Sequence, residues 1–273
     1  MDTMERLIAQ PSSLGRFWRT AQGILIPVCS LGSLLLLWEG AVHLFGIRPF
    51  LLPAPSRILQ ELVATGPHLP GNIAATLLTV VLGFGTSVLI AIPLAVAIAS
   101  SPVVARAVYP LLLITQSTPM IAIAPILVVI MGTGQLSRTT VAFLIAFFPL
   151  LISTVTGLLA TPREVVDLSR MMRTSFFQDL WMIRLPGAVP FIFAGLKVAI
   201  SLSVIGAVVS EFVTANAGLG YLITQSTAFF NVPLAFGAVV LLSATGVVLF
   251  GLVVLTERVF FPWSVENDRI RRD

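Results

Sequence analysis

Few side chains in this 273-residue chain could do chemistry, and their spacing offers no catalytic set. Glu39 and His43 lie four apart, so on a helix they share a face and can hydrogen-bond each other. That spacing suits a structural pair rather than an acid–base couple. Lys197 and Glu211 stand alone inside long apolar runs. Thr115, Gln116, Ser117 and Thr118 form a short polar run, followed by Pro119 and Met120. Cys29 is the single cysteine, so no intrachain disulfide can form and a thiolate metal site is not expected. No G-x-x-x-x-G-K-[ST] loop occurs, and Lys197, in FAGLKVA, follows no glycine-rich phosphate loop. The expectation is a chain with no catalytic residues, no metal and no cofactor of its own. Its densest charged stretch is residues 161–186, TPREVVDLSRMMRTSFFQDLWMIRLP, which is longer and more polar than a simple turn requires.

The elements that hold these residues are lipid-soluble. The chain is 57% hydrophobic and 10% charged, with a mean hydropathy of +1.01. A soluble domain of this size carries roughly 25% charge. The fold class is therefore all-α and polytopic, with about six transmembrane helices in the lipid bilayer. Continuous apolar runs exclude an alternating β-barrel, and helices satisfy their own backbone in lipid. The expected spans are approximately 24–46, 72–100, 107–131, 139–160, 188–213 and 234–260, within a single domain over 24–260. Residues 1–23 and 261–273 read as cytoplasmic segments. The first of these lacks a compact apolar h-region, so no cleavable signal is expected. The net charge of +4 does not point to nucleic acid, because the basic residues are scattered at span ends.

Their placement sets an orientation. With the amino terminus inside, Arg6, Arg16, Arg19, Arg106, Arg163, Arg170, Arg173, Arg184, Arg258, Arg269, Arg271 and Arg272 are cytoplasmic. Only Arg48, Arg57 and Arg138 fall outside. The positive-inside rule then puts both termini and the 161–186 stretch in the cytoplasm.

Within that stretch, Thr161, Pro162 and Glu164 read as a capping box with proline at the first helical position. The helix is expected to run to about Met172, with Val165, Leu168 and Met172 as an apolar stripe. A second short helix is predicted from Ser175 or Phe176 to Ile183, stopped by Leu185–Pro186. A capped helix packed on Phe176, Phe177 and Trp181 would make a stiff knob with an apolar face. On the other side, residues 46–70 read as a connector carrying an amphipathic interfacial helix, capped by Ser56, with Ile58, Leu59, Leu62 and Val63 as its apolar face.

Ionisable groups inside spans are expensive and suggest function. Glu39 and His43 read as a structural pair near the outer interface, and Lys197 is long enough to snorkel inward. Glu211 is placed to hold an outer gate or the turn at Gly218–Tyr221. For a solute pathway, the third span offers Thr115, Gln116, Ser117, Thr118 and Met120. Prolines 110, 119 and 125 are expected to break its backbone ladder there. Ser201, Ser203 and Ser210 on the fifth span either face this run or serve close helix packing.

The cytoplasmic stretch resembles the EAA signature of the permease subunits of bacterial ABC importers, with the spacing kept and the identities changed. Asp167-Leu168-Ser169 stands for Glu-Ala-Ala, Arg173 for the glycine, Ile183 for the isoleucine, and Leu185-Pro186 for the ending. An arginine where the turn wants positive φ costs on the order of 1 kcal/mol or needs a different turn. FLLPAPSRILQEL resembles the Leu-Pro-Ser-Pro stretch of the nitrate/sulfonate/taurine branch. ITQSTPMIAIAPILVVIMGTG resembles that branch's third span, with Pro119, Ala122, Pro125, Gly132 and Gly134 matching and Ile130 and Met131 departing. VVSEFVTANAGLGYLI carries the family's glutamate, Glu211, and its Gly218-Leu219-Gly220-Tyr221 segment.

The resemblance implies a type I importer permease in the bacterial inner membrane. It implies a second copy of itself, two ABC ATPase subunits that hold ATP and Mg, and an external solute-binding protein. The ATPases would dock on Glu164, Asp167, Leu168, Arg170, Met171, Met172 and Arg173. The branch's solutes include nitrate, sulfonates, taurine and thiamine-precursor pyrimidines. The competing expectation is a self-sufficient carrier or channel, against which stand the scarcity of intramembrane charges and the lack of repeated halves.

Overall fold

A computed structural model describes residues 13–117, 119–214 and 216–264. The described residues form helices joined by short turns, without strands. In chain order these are α1 (Ser13–Leu44), α2 (Pro55–Thr65), α3 (Leu69–Ser100), α4 (Pro102–Ser117), α5 (Met120–Met131) and α6 (Gln135–Leu159). They continue with α7 (Arg163–Met171), α8 (Phe176–Asp179), α9 (Leu185–Thr214), α10 (Leu219–Ala228) and α11 (Val232–Phe260). Five stretches are long and apolar enough to cross a membrane: Leu25–Leu44, Pro55–Ser100, Gln135–Leu159, Phe176–Val213 and Val232–Phe260.

The centre of the bundle is α6, packed between α3 and α9. Small residues bring the three together at Ala142. A Cβ on Gly83 of α3 would lie 2.5 Å from the Ala142 Cβ, and one on Gly206 of α9 would lie 2.7 Å from its Cα. Leu150, Leu151 and Leu158 fill the space below that contact and are fully buried. The periphery is reversed from a soluble protein. Leu34, Leu36 and Leu37 of α1, and Val247 and Val248 of α11, point outward, as lipid demands.

The third apolar run is not one span. It divides into α4 and α5, of 16 and 12 residues, neither longer than about 24 Å at 1.5 Å per residue. Pro119 stands at the break as the extended N-cap of α5; it has no N–H to continue a helical ladder, and its ring would collide with the preceding turn of an unbroken helix. Pro110 and Pro125 each leave out one bond of the ladder, having no N–H to donate, but they lie inside α4 and α5 and end neither helix.

The predicted capping box at Thr161 does not form. Helix α7 begins at Arg163, and the Pro162 carbonyl accepts from Val165 and Val166. Thr161 is thus one residue too early to reach the free amides, and its buried Oγ1 has no hydrogen-bond partner. Nor does Leu185–Pro186 stop the second loop helix. A π-helical turn over Leu180–Arg184 joins α8 to α9 without a break. One extra residue in the turn lets the Leu185 N–H reach back to the Leu180 carbonyl and carries the helix through Pro186.

At the other end, Ser56 does not cap α2. Ala54 is the N-cap and Pro55 the first helical residue. The cap comes from α1: Glu39 Oε2 accepts the Ser56 N–H at 3.0 Å, and Oε1 accepts its hydroxyl at 2.7 Å. His43 Nε2 stands 2.8 Å from the same Oε1, so the Glu39–His43 pair holds α2 as well as itself. A carboxylate at a helix N-terminus also suits the macrodipole. The two hydrogen bonds from Ser56 hold the α1 carboxylate to the start of α2, and His43 braces it from one turn along α1. Ile58 is buried and Leu62 packs on Gly237 of α11. Leu59 and Val63, on the other edge of the expected apolar face, point away from the bundle.

Candidate functional site

The elbow between α4 and α5 faces the middle of α6 across a cavity of about 530 Å³. Thr115, Pro119, Met120 and Ile121 line it from the elbow. Leu144, Ile145, Phe148, Pro149, Ile152 and Ser153 line it from α6. The volume lies in the range that accommodates a small organic solute. Of the predicted pathway residues, Thr115 and Met120 are therefore at the cavity. Gln116 and Ser117 lie on the last turn of α4, and Thr118 lies outside the described residues. Ser203 and Ser210 are fully buried in the bundle, away from this lining, with the Ser210 hydroxyl donating to the Ala207 carbonyl at 2.7 Å. The α6 wall carries no mark in the sequence, because its residues look like ordinary lipid-facing helix.

A polar network closes the end of the bundle where α3 begins. Glu211, on the last turns of α9, is 1% exposed. Its Oε2 accepts the Gly220 N–H at 2.7 Å and the Thr76 hydroxyl at 3.1 Å. Thr76 Oγ1 in turn accepts the Leu219 N–H at 2.8 Å, and Asn72 Oδ1 accepts the Gly218 N–H at 2.9 Å. The first amides of α10 are thus capped by side chains of α3 and α9. Gly218 has φ +126°, a region closed to L side chains, and any Cβ there would strike the Glu211 carboxyl. Tyr221 sits in the first turn of α10, half-buried. Close by, Gln135 Nε2 of α6 donates to Thr79 Oγ1 at 3.0 Å and to Thr139 Oγ1 at 3.2 Å.

At the opposite end α7 stands out from the bundle. Leu168 is 58% exposed and Met172 70%, so the apolar stripe is uncovered. Val165, Glu164, Asp167, Met171 and Arg173 are exposed too, while Arg170 is on the same helix. Arg173 adopts φ +53°. The Thr174 N–H reaches the Ser169 carbonyl at 3.3 Å, which is the six-to-one bond of a Schellman end with Arg173 in the left-handed position. The arginine therefore occupies the glycine conformation instead of replacing the turn.

The knob is not stiffened by aromatic packing, since Phe176, Phe177 and Trp181 are largely exposed. Asp179 does that work. Its Oδ1 accepts the hydroxyl of buried Ser169 at 3.0 Å, and its Oδ2 accepts Arg184 Nε at 2.6 Å. A Ser175–Gln178 capping box begins α8 in the same turn. The end of α7 is thereby tied to the start of α9. Farther along α9, Lys197 does not snorkel. Its Nζ pairs with Glu257 Oε2 of α11 at 2.6 Å, and Ser264 Oγ donates to the other carboxylate oxygen at 3.0 Å. The charge of Glu257 within an apolar span is the sequence signal from which this pair could be found.

Apolar residues turned outward, small and polar residues turned inward, and a solute-sized cavity beside a proline-broken segment define a polytopic membrane transport subunit. The chain belongs to the family of binding-protein-dependent transport system inner membrane components, whose model matches residues 87–260. It is 34% identical over 235 residues to the formylaminopyrimidine transport permease protein ThiX of Halalkalibacterium halodurans, covering 84% of this chain and 92% of that protein. It is 33% identical over 262 residues to the riboflavin transport system permease protein RibX of Chloroflexus aurantiacus, covering 95% and 96%. The taurine transport system permease protein TauC of Escherichia coli is 26% identical over 257 residues, covering 91% and 93%. The chain is an ABC importer permease subunit for a small solute.

Proposed function

We propose that two copies of this chain form the translocation pathway of an ATP-driven importer in the bacterial inner membrane, with both termini cytoplasmic. Two separate ATPase subunits, which carry the ATP and Mg, dock on the α7 knobs. A soluble binding protein delivers the solute at the opposite face. The observation that carries this reading is the uncovered apolar stripe of Val165, Leu168 and Met172 on a helix clamped to α9. An amphipathic helix with an unburied apolar face fits a groove in a partner.

Glu164, Asp167, Leu168, Arg170, Met171, Met172 and Arg173 make the ATPase contact. Closure of the ATPases moves α7, and the Asp179 clamp passes that motion into α9. Helix α9 carries Glu211 at its far end, so the shift reaches Gly218, Gly220 and Tyr221 and opens or shuts the outer side. Thr115, Gln116, Ser117, Thr118, Met120, Ser203 and Ser210 belong to the pathway that this switching exposes alternately. The chain supplies no catalytic group, and ATP hydrolysis belongs to its partners. The solute is among the classes for which the relatives are named: formylaminopyrimidines, riboflavin or taurine.

Reconstitution tests this. Purified chain alone in liposomes should move no solute, and uptake should appear only with ATPases, ATP and the binding protein. Flux through the chain alone would favour a self-sufficient carrier. A cysteine at Leu168 should crosslink to the ATPase subunit.

A further inference from the structure

The cavity between the α4–α5 elbow and α6 has a chemistry of its own, beyond its place on the pathway. Thr115 and Ser153 supply its polar side chains, and none of its lining residues carries a charge. Phe148 offers an aromatic wall midway along α6. Pro149, one residue on, has no N–H to return to the Ile145 carbonyl, so the α-helical bond at that position is missing. Ile145, whose carbonyl thereby lacks its α-helical donor, is among the residues that line the cavity.

Resting on the importer reading above, we propose that this cavity passes a neutral, planar nitrogen heterocycle with N–H donors, and not a small inorganic or sulfonate anion. An anion entering here would shed water without meeting a cation, at a heavy desolvation cost. The negative face of Phe148 would repel it further. A flat, uncharged ring stacks on that face, buries its edges against Ile145 and Ile152, and donates its N–H groups to hydroxyl and carbonyl acceptors. A cavity of about 530 Å³ has room for a flat system of one to three fused rings.

The test uses the full chain in nanodiscs, with Cys29→Ala removing the native thiol and Ser153→Cys placing one in the cavity. The probes are 4-aminopyrimidine and riboflavin as neutral heterocycles, with taurine and nitrate as charged solutes. Near-saturating heterocycle should slow maleimide labelling at position 153 by about tenfold, as mass action requires, and the charged solutes should not. Ile152→Cys repeats the measurement should Ser153→Cys fold poorly. Protection by taurine or nitrate overturns the proposal. So does labelling unaffected by any probe, or a thiol never reached by reagent because a second copy covers the cavity. Failure of the importer reading shows separately, as uptake by the assembled transporter that continues when ATP hydrolysis is blocked.

Discussion

Gly220 donates its N–H to Glu211 Oε2 at 2.7 Å, and a side chain on the same glycine would need space that Glu211 already fills. A Cβ at Gly220 would lie 2.8 Å from the Glu211 Cβ and 3.0 Å from the Val208 carbonyl. Gly220→Ala is therefore expected to destabilise the protein by about 1–3 kcal/mol through overpacking. Glu211→Gln keeps an acceptor for the Gly220 amide and should unfold closer to wild type than Glu211→Ala. Thermal unfolding in detergent measures both comparisons. Equal melting of all three glutamate-site proteins would mean that the cap on α10 contributes nothing.

Arg173 holds a left-handed backbone at the end of α7. Arg173→Gly should remove strain of about 1 kcal/mol and slow hydrogen exchange at the Thr174 amide. Arg173→Val, whose β-branch fits that region worst, should speed it. The opposite order would show that the turn is set by something other than φ at this residue.

Lys197 and Glu257 share a largely buried ion pair. Removing only one partner leaves a charge unpaired in an apolar surround, so Lys197→Met should cost on the order of 3 kcal/mol. The double variant Lys197→Met, Glu257→Leu should recover most of that loss, because two apolar side chains can occupy the space without desolvating a charge. Chemical unfolding of the three proteins decides it, and a double variant no better than the single one would assign the loss to packing.

On α7, the exposed stripe is expected to matter for the partner and not for the fold. Leu168→Asp and Met172→Asp should melt with wild type, since neither side chain is buried. Each should lower ATP-driven uptake by about tenfold or more, the effect of losing a buried anchor worth about 1.4 kcal/mol at an interface. ATPase copurification should fall in parallel. Undiminished uptake would place the docking surface elsewhere.

Much of the architecture was legible because lipid leaves few options. Runs of Leu, Val, Ile and Ala had to become helices, and α1, α3, α6, α9 and α11 lie where those runs are. The apolar stripe of α7 could be read from three- and four-residue spacing, which survives any tertiary arrangement. Local punctuation was less secure. Proline looks alike wherever it occurs in a sequence, yet Pro119 breaks a helix while Pro110 and Pro125 do not. The difference lies in whether neighbouring helices and a local rearrangement compensate for the missing hydrogen bond.

The sequence by itself determined that this chain lives in a bilayer and carries a polar knob between two spans. Hydropathy and helical periodicity are properties of residues in order, so both could be read without a fold. The partners of these charged side chains were decided only in three dimensions: Glu39 with Ser56, Glu211 with Gly220, Asp179 with Ser169 and Arg184, Lys197 with Glu257. All four sets join residues on separate helices, the Glu211–Gly220 bond running from α9 to the start of α10. A hydrogen bond between helices depends on register and crossing, which no local spacing encodes. For the same reason the cavity walls, drawn from α6 and from the elbow of α4 and α5, became visible only once those elements had packed.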